Sequence, residues 1–161
     1  MTRHLAMLVL GALLVFVLGG CVLIESSESG PVAIRRDGEA ILIAPCTELF
    51  VSIGWVTINP ADGNGGEAGR SREIREFRDF AIAADTVLST DPTVTPPAPG
   101  ENTGEPNLKP EEYVQVILTD RRSTPERGVV ALFRIPKDGL SDALWQHRDG
   151  SLTEEPCPGE I

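Results

Sequence analysis

Aromatic residues are scarce in this 161-residue chain: two Trp, one Tyr and five Phe, 5% of the whole. A core must therefore be built from aliphatic and β-branched side chains, and each large ring has to be weighed as either core volume or a contact residue. Histidine is scarcer still, two in all with one at position 4, so His-based catalysis or a zinc centre has too few ligands to draw on. Basic residues number 14 against 24 acidic ones, giving a net charge of −10 and an isoelectric point near 4.6. That balance argues against nucleic acid as a partner, because phosphate binding needs a basic face. No CxxC motif, G-x-S-x-G elbow or internal repeat is present. What the chain does have is 41% hydrophobic residues with 24% charged, enough for one globular domain plus tails, and 16 Gly with 13 Pro, which implies many turns and an extended loop.

The N-terminus carries the strongest signal. Met1-Thr2-Arg3-His4 is a short basic start, residues 5–18 are an uncharged apolar run of about fourteen, and Gly19-Gly20-Cys21 follows. Such a run has the length of a signal-peptide h-region, below the roughly 20 residues of a spanning helix. Leu18-Gly19-Gly20-Cys21 resembles the lipobox of bacterial lipoprotein precursors at every position. The resemblance implies cleavage between Gly20 and Cys21 by a type II signal peptidase and a thioether to diacylglycerol on Cys21. It places the mature chain, residues 21–161, at the outer face of the cell membrane. Two acyl chains, palmitate-like in length, anchor stably at about 0.8 kcal/mol per buried CH₂, where one would be marginal. Loss of Arg3 takes the net charge from −10 to −11. Repulsion from anionic headgroups then holds the domain off the surface except at its tether. An ordinary secretory signal or an N-terminal membrane anchor is the alternative reading.

With Cys21 assigned to lipid, an exported chain retains two cysteines, Cys46 and Cys157, which are expected to form one disulfide. It would close a loop of roughly 110 residues and pin a tail that would otherwise fray.

The chain divides into a signal peptide (1–20), a tether (21–30) and one domain (31–161). Asp37-Gly38 between β-formers signals a hairpin within 31–44, and Asp149-Gly150 between Trp145 and Thr153 signals another. Residues 50–58 read as a strand with a bulge at Gly54. The segment 70–85 fits either helix or strand by periodicity, with strand favoured by its surroundings. Residues 91–110 hold six prolines and read as a long extended loop. Residues 113–119 and 128–135 are the clearest strands, joined by a polar tip. The expected fold is mainly β, an antiparallel β-sandwich with one disulfide, and an immunoglobulin-like arrangement is one version of it. The domain also resembles small uncharacterised lipoproteins of high-GC Gram-positive bacteria, through the Asp-Gly hairpin leading to Cys46 and Trp145 with Asp149-Gly150 before Cys157. That resemblance implies a β-sandwich and no assigned activity.

Candidate chemistry is thin. His147 has no elbow serine to activate and reads as a surface strand residue. Residues 62–73 begin like a calcium loop, but Glu67 stands where the sharp turn needs Gly. Arg70, Arg72, Arg75 and Arg78 alternate with Glu73, Glu76 and Asp79 and are expected to pair among themselves. Arg121, Arg122 and Arg127 are a basic spot at a hairpin tip, and Arg121 and Arg122 with Trp145 are the candidate interaction residues; Trp55 is expected in the core. No catalytic residue, metal or cofactor is expected. The reading is a membrane-anchored, non-catalytic module that binds an envelope protein or wall polymer. Alternatives are a wall glycan or peptide hydrolase using dispersed carboxylates, and a small-ligand binding lipoprotein.

Overall fold

The computed structural model describes residues 30–61, 70–84, 86–94, 100–101, 104, 106–123 and 127–158. Every regular element among them is a strand. These are β1 (Val32–Asp37), β2 (Ala40–Pro45), β3 (Leu49–Asn59), β4 (Arg72–Ile82), β5 (Leu88–Ser89), β6 (Tyr113–Asp120), β7 (Arg127–Arg134), β8 (Trp145–His147) and β9 (Leu152–Thr153). They form two antiparallel sheets, ordered β5-β2-β1-β8-β9 and β4-β3-β6-β7. The chain crosses between the sheets after β2, β4, β5 and β7, so each sheet closes only when the other is in place.

Period-2 patterning explains why these segments pair. In β6, YVQVILTD, every second residue from Val114 is buried, and in β7 the buried set is Val129, Ala131 and Phe133. Their inward faces meet Val32, Ile34, Ile41 and Ile43 of the first sheet in one aliphatic core. Phe77 and Phe133 are its largest members, and each buried side chain of this size contributes about 1.5–3 kcal/mol. Within the segment 70–85, Arg72–Ile82 is a strand: Ile74 and Phe77 face that core. Gly38, at φ 57°, forms the positive-φ corner of the β1–β2 turn, and Gly150, at φ 85°, does the same between β8 and β9.

The bulge expected at Gly54 lies elsewhere. The β3–β4 register shifts between Val56 and Thr57, where Ile74 is the extra residue. Separately, the inward parity of β3 changes between Val51 and Gly54, opposite Asp79 at φ 51°, a conformation that Asp tolerates better than most residues. Gly54 serves another purpose: a Cβ there would stand 2.7 Å from Leu118 Cδ2 and 2.9 Å from the Ile117 carbonyl oxygen.

One disulfide joins Cys46, just beyond β2, to Cys157 in the C-terminal tail, with Cα atoms 5.4 Å apart. It thus ties a strand end to the tail, whereas the bridge of antibody domains spans the two sheets.

Candidate functional site

The parity change in β3 decides which side chains look outward. Gly54, Val56 and Ile58 face the core, so Ile53, Trp55 and Thr57 face away from it. Expected in the core, Trp55 is instead half-buried on the outer face of the second sheet. Its cross-strand neighbours are Glu76 on one side and Ile117 on the other, and Ile117 is followed by Val130. The next row reads Thr57, Gln115, Leu132, and the one before it Ile53, Thr119, Gly128. Val130 and Leu132 are 43% and 36% exposed. Ile53, Trp55, Ile117, Val130 and Leu132 thus form an outward apolar surface across β3, β6 and β7, bordered by the hydroxyls and amide of Thr57, Thr119 and Gln115 and, on the β4 side, by the Glu76–Arg78 ion pair. At its margin the Thr57 hydroxyl donates to Gln115 Oε1 at 3.2 Å, and Asn59 Nδ2 donates to the same oxygen at 3.4 Å.

The three candidate interaction residues are not brought together. Trp145 is only 4% exposed, which corrects its reading as a contact residue: it lies on the outer face of the first sheet with Ala33, Leu42 and Ala44. Those two alanines are short enough for the indole to settle against the sheet, and the Arg35 guanidinium covers it, 4.8 Å from the ring centroid. Arg122 is exposed but committed, its Nε 3.2 Å from Asp120 Oδ1 and its guanidinium over the Phe50 ring. Arg122 Nε, Arg122 N and Ser123 Oγ all bond the Asp120 carboxylate, and they hold its pKa below the usual value. Arg121 is exposed, and its backbone N–H donates to Ser52 Oγ.

The arginines of β4 pair only partly as expected. Arg78 bonds Glu76, whereas Arg72 turns to the loop before β6, reaching the Asn107 carbonyl at 2.8 Å and Glu112 at 3.8 Å. Arg75 is 3% exposed, lies over Phe77, and has its pKa lowered by burial. His147 is half-buried, with Nε2 2.6 Å from the Thr153 hydroxyl. That hydroxyl's own proton goes to the Glu155 carbonyl, so the imidazole is the donor and Nε2 carries hydrogen. Cys21, Gly20 and the calcium-like start at residues 62–67 lie outside the described residues. Among the described residues no cluster of three His, Cys, Asp or Glu is arranged for a metal.

No family model matches this chain, and no curated protein or solved structure does either. The fold's own geometry therefore carries the functional argument. Its outward apolar surface was hidden from sequence reading, because residue parity alone assigns Trp55 to the same face as Val51.

Proposed function

We propose that this protein is a lipoprotein anchored by lipid at the extracytoplasmic face of the cell membrane, whose domain is a non-catalytic interaction module for another envelope polypeptide. The observation that carries the reading is the outward row Trp55–Ile117–Val130 with Ile53 and Leu132 beside it. An apolar centre with an amide and hydroxyl margin is the anatomy of a protein–protein contact. A polypeptide fits it better than a glycan, since the surface is mostly branched aliphatic with a single aromatic ring.

The lipobox-like Leu18-Gly19-Gly20-Cys21 supports the anchor. Eight residues, 22–29, separate Cys21 from Gly30, a reach of about 30 Å when extended. Gly30 N donates to the Gly128 carbonyl at the start of β7, so in this reading the tether joins the domain at the edge strand of the apolar face.

The hydrolase alternative would need paired carboxylates over a cleft, and Glu111 and Asp149 do line one. Asp149, however, accepts from the Ser151 hydroxyl and backbone N–H, which hold its pKa down, opposite to what a general acid requires. Glu111 is paired with Arg134 at 3.6 Å.

The test is in-cell photo-cross-linking of the full chain with a photoreactive residue at position 132, or at Arg36 as a control on the other sheet. The expected result is one adduct of discrete mass at position 132 alone, lost in Trp55→Ser and in Cys21→Ala. Equal labelling at both positions, or labelling indifferent to Trp55→Ser, overturns the assignment of the face. Labelling unchanged in Cys21→Ala overturns the anchor.

A further inference from the structure

Gly30 and Pro31 bond to different sheets. The Pro31 carbonyl accepts from the Cys46 N–H at the end of β2, whereas the Gly30 N–H donates to the Gly128 carbonyl of β7 at 3.3 Å. The chain therefore crosses between sheets at this step, and the residues before Gly30 arrive along the second sheet. β7 is the last strand of that sheet, so one of its sides is an edge. Two of its carbonyls are bonded from beyond the sheet, Gly128 by Gly30 and Arg134 by Gln146 Nε2, and they share a parity. The β6–β7 register runs from Tyr113↔Arg134 to Asp120↔Arg127 without a shift. Backbone groups alternate sides along an antiparallel strand, so those of Val130 and Leu132 point to the same edge. Such an edge is a template for one more strand.

We infer that the occupant of this edge is the chain's own tether: residues 26–29 pair antiparallel with β7, continuing from the Gly30–Gly128 bond, with Glu28 opposite Val130 and Ser26 opposite Leu132. The direction follows from where that bond sits. Gly128 is at the start of β7, so a chain traced backward from Gly30 either runs along the edge toward Arg134 or leaves the sheet at once. The sequence Glu25-Ser26-Ser27-Glu28-Ser29 suits the first course. A strand added outside the sandwich covers no core and needs no apolar residue, since its main chain makes the contact. A charged residue on the outermost strand also keeps a further strand from adding. Glu28 and Ser26, on the outward face beside Val130 and Leu132, give the apolar surface a polar margin on its β7 side. The pairing does not rest on the lipid anchor, but it changes what the proposed anchor does. Only residues 22–25 then separate Cys21 from the domain, a reach of about 13 Å in place of about 30 Å, and the Arg134 end of β7 is brought nearest the membrane.

Amide hydrogen exchange of the full-length protein in non-ionic detergent, read by NMR, tests the pairing. The Leu132 amide is expected to exchange at least tenfold more slowly in wild type than in Ser26→Pro, because proline at 26 removes the N–H that meets the Leu132 carbonyl and sets its ring against β7. In Ser27→Pro, one residue along, the lost N–H points away from β7, and Leu132 should stay within twofold of wild type. The amides of Val116 and Leu118, inside the second sheet, report the fold and stay unchanged in both variants. Cys21→Ala keeps the protection, so a failed anchor and a failed pairing read differently. A Leu132 amide as fast in wild type as in Ser26→Pro, equal effects of the two prolines, or protection lost in Cys21→Ala overturns the inference. Protection that rises with protein concentration and ignores Ser26→Pro overturns it as well, by putting a second copy on the edge.

Discussion

Replacing Cys46 and Cys157 together by Ala opens a covalent ring with a sequence separation of 111 residues. Loop-closure entropy puts the loss near 4–5 kcal/mol, acting almost wholly by freeing the unfolded chain. The structure adds a second route. The C-terminal part of the ring meets β1 through a short ladder, Ala33↔His147 and Ile34↔Gln146, and through Trp145 packed on Ala33 under Arg35, with β9 paired in turn through Trp145↔Thr153 and Gln146↔Leu152. Without the bridge this part can detach before the rest unfolds, and Trp145 would be uncovered with it. Truncating the buried Cys46 side chain acts in the same direction. The combined loss is a third or more of an ordinary domain's stability of about 5–15 kcal/mol. Urea unfolding measures it: with a slope of about 2 kcal/mol/M, the midpoint should fall by about 2 M. Tryptophan fluorescence should change at lower urea than circular dichroism, since Trp145 sits in the detachable part. A loss under about 1 kcal/mol with coincident transitions would refute this reasoning, because the bridge would then close a loop that the unfolded chain already keeps closed.

Three further outcomes follow from the core and the loops. Gly54→Ala should cost about 1–3 kcal/mol, read as a lowered Tm, because its Cβ meets Leu118 Cδ2 and the Ile117 carbonyl; an unchanged Tm would mean Leu118 gives way freely. Phe77→Ala removes one of the two largest rings of the core and should cost about 3–5 kcal/mol by denaturant unfolding, a cost under 1 kcal/mol contradicting its place there. The Asp120 carboxylate titrates below its usual range, first because of the Arg122 side-chain bond, so the stabilisation is complete above the unfolded pKa of about 3.9 and is lost as pH falls through the folded value. Asp120→Asn should therefore be less stable than wild type at pH 6, with the gap closing toward pH 2; a gap that is constant with pH contradicts the ion pair.

How far the fold can be read from sequence depends on whether the deciding interaction is local. The alternation of residues 113–119 and the Asp37-Gly38 and Asp149-Gly150 turns are local, and they specify β6 and the two hairpins without reference to the rest of the chain. β5 is only Leu88–Ser89, too short for any period, and it exists because Leu42 and Ile43 offer it a ladder. Trp55 is a long-range case. Its facing is set by the parity change opposite Asp79, a conformation on a neighbouring strand that nothing near Trp55 announces. Trp145 is another: its burial depends on Arg35, Ala33 and Ala44, more than 100 positions away. The cleft beside Gln146 combines the segment before β6, the end of β7 and the β8–β9 turn, so its lining becomes visible only after the sheets are assembled.

The two tryptophans show what a closed outer face requires in this protein. Beside Trp145 the sheet carries two alanines that let the ring settle, and a guanidinium lies over it. Around Trp55 the outward neighbours are Ile53 along its own strand and Ile117 and Val130 across β6 and β7, with Leu132 in the next row and Glu76 on the β4 side, and none of these larger side chains lets the ring settle as the alanines do beside Trp145. Apolar area returns about 25 cal/mol per Å² when it is covered, and the simplest cover is a second copy of the same face. A net charge of −10 on each copy opposes that pairing, however, and favours a less acidic partner. The opposition is electrostatic and therefore screened: the Debye length falls from about 10 Å at 0.1 M salt to about 3 Å at 1 M. In light scattering, the full chain in non-ionic detergent should gain a dimer at 1 M salt that is missing at 0.1 M, and Leu132→Glu should abolish it. A dimer already complete at 0.1 M salt would show that the face is made for its own copy, and the search for a different partner polypeptide would lose its ground.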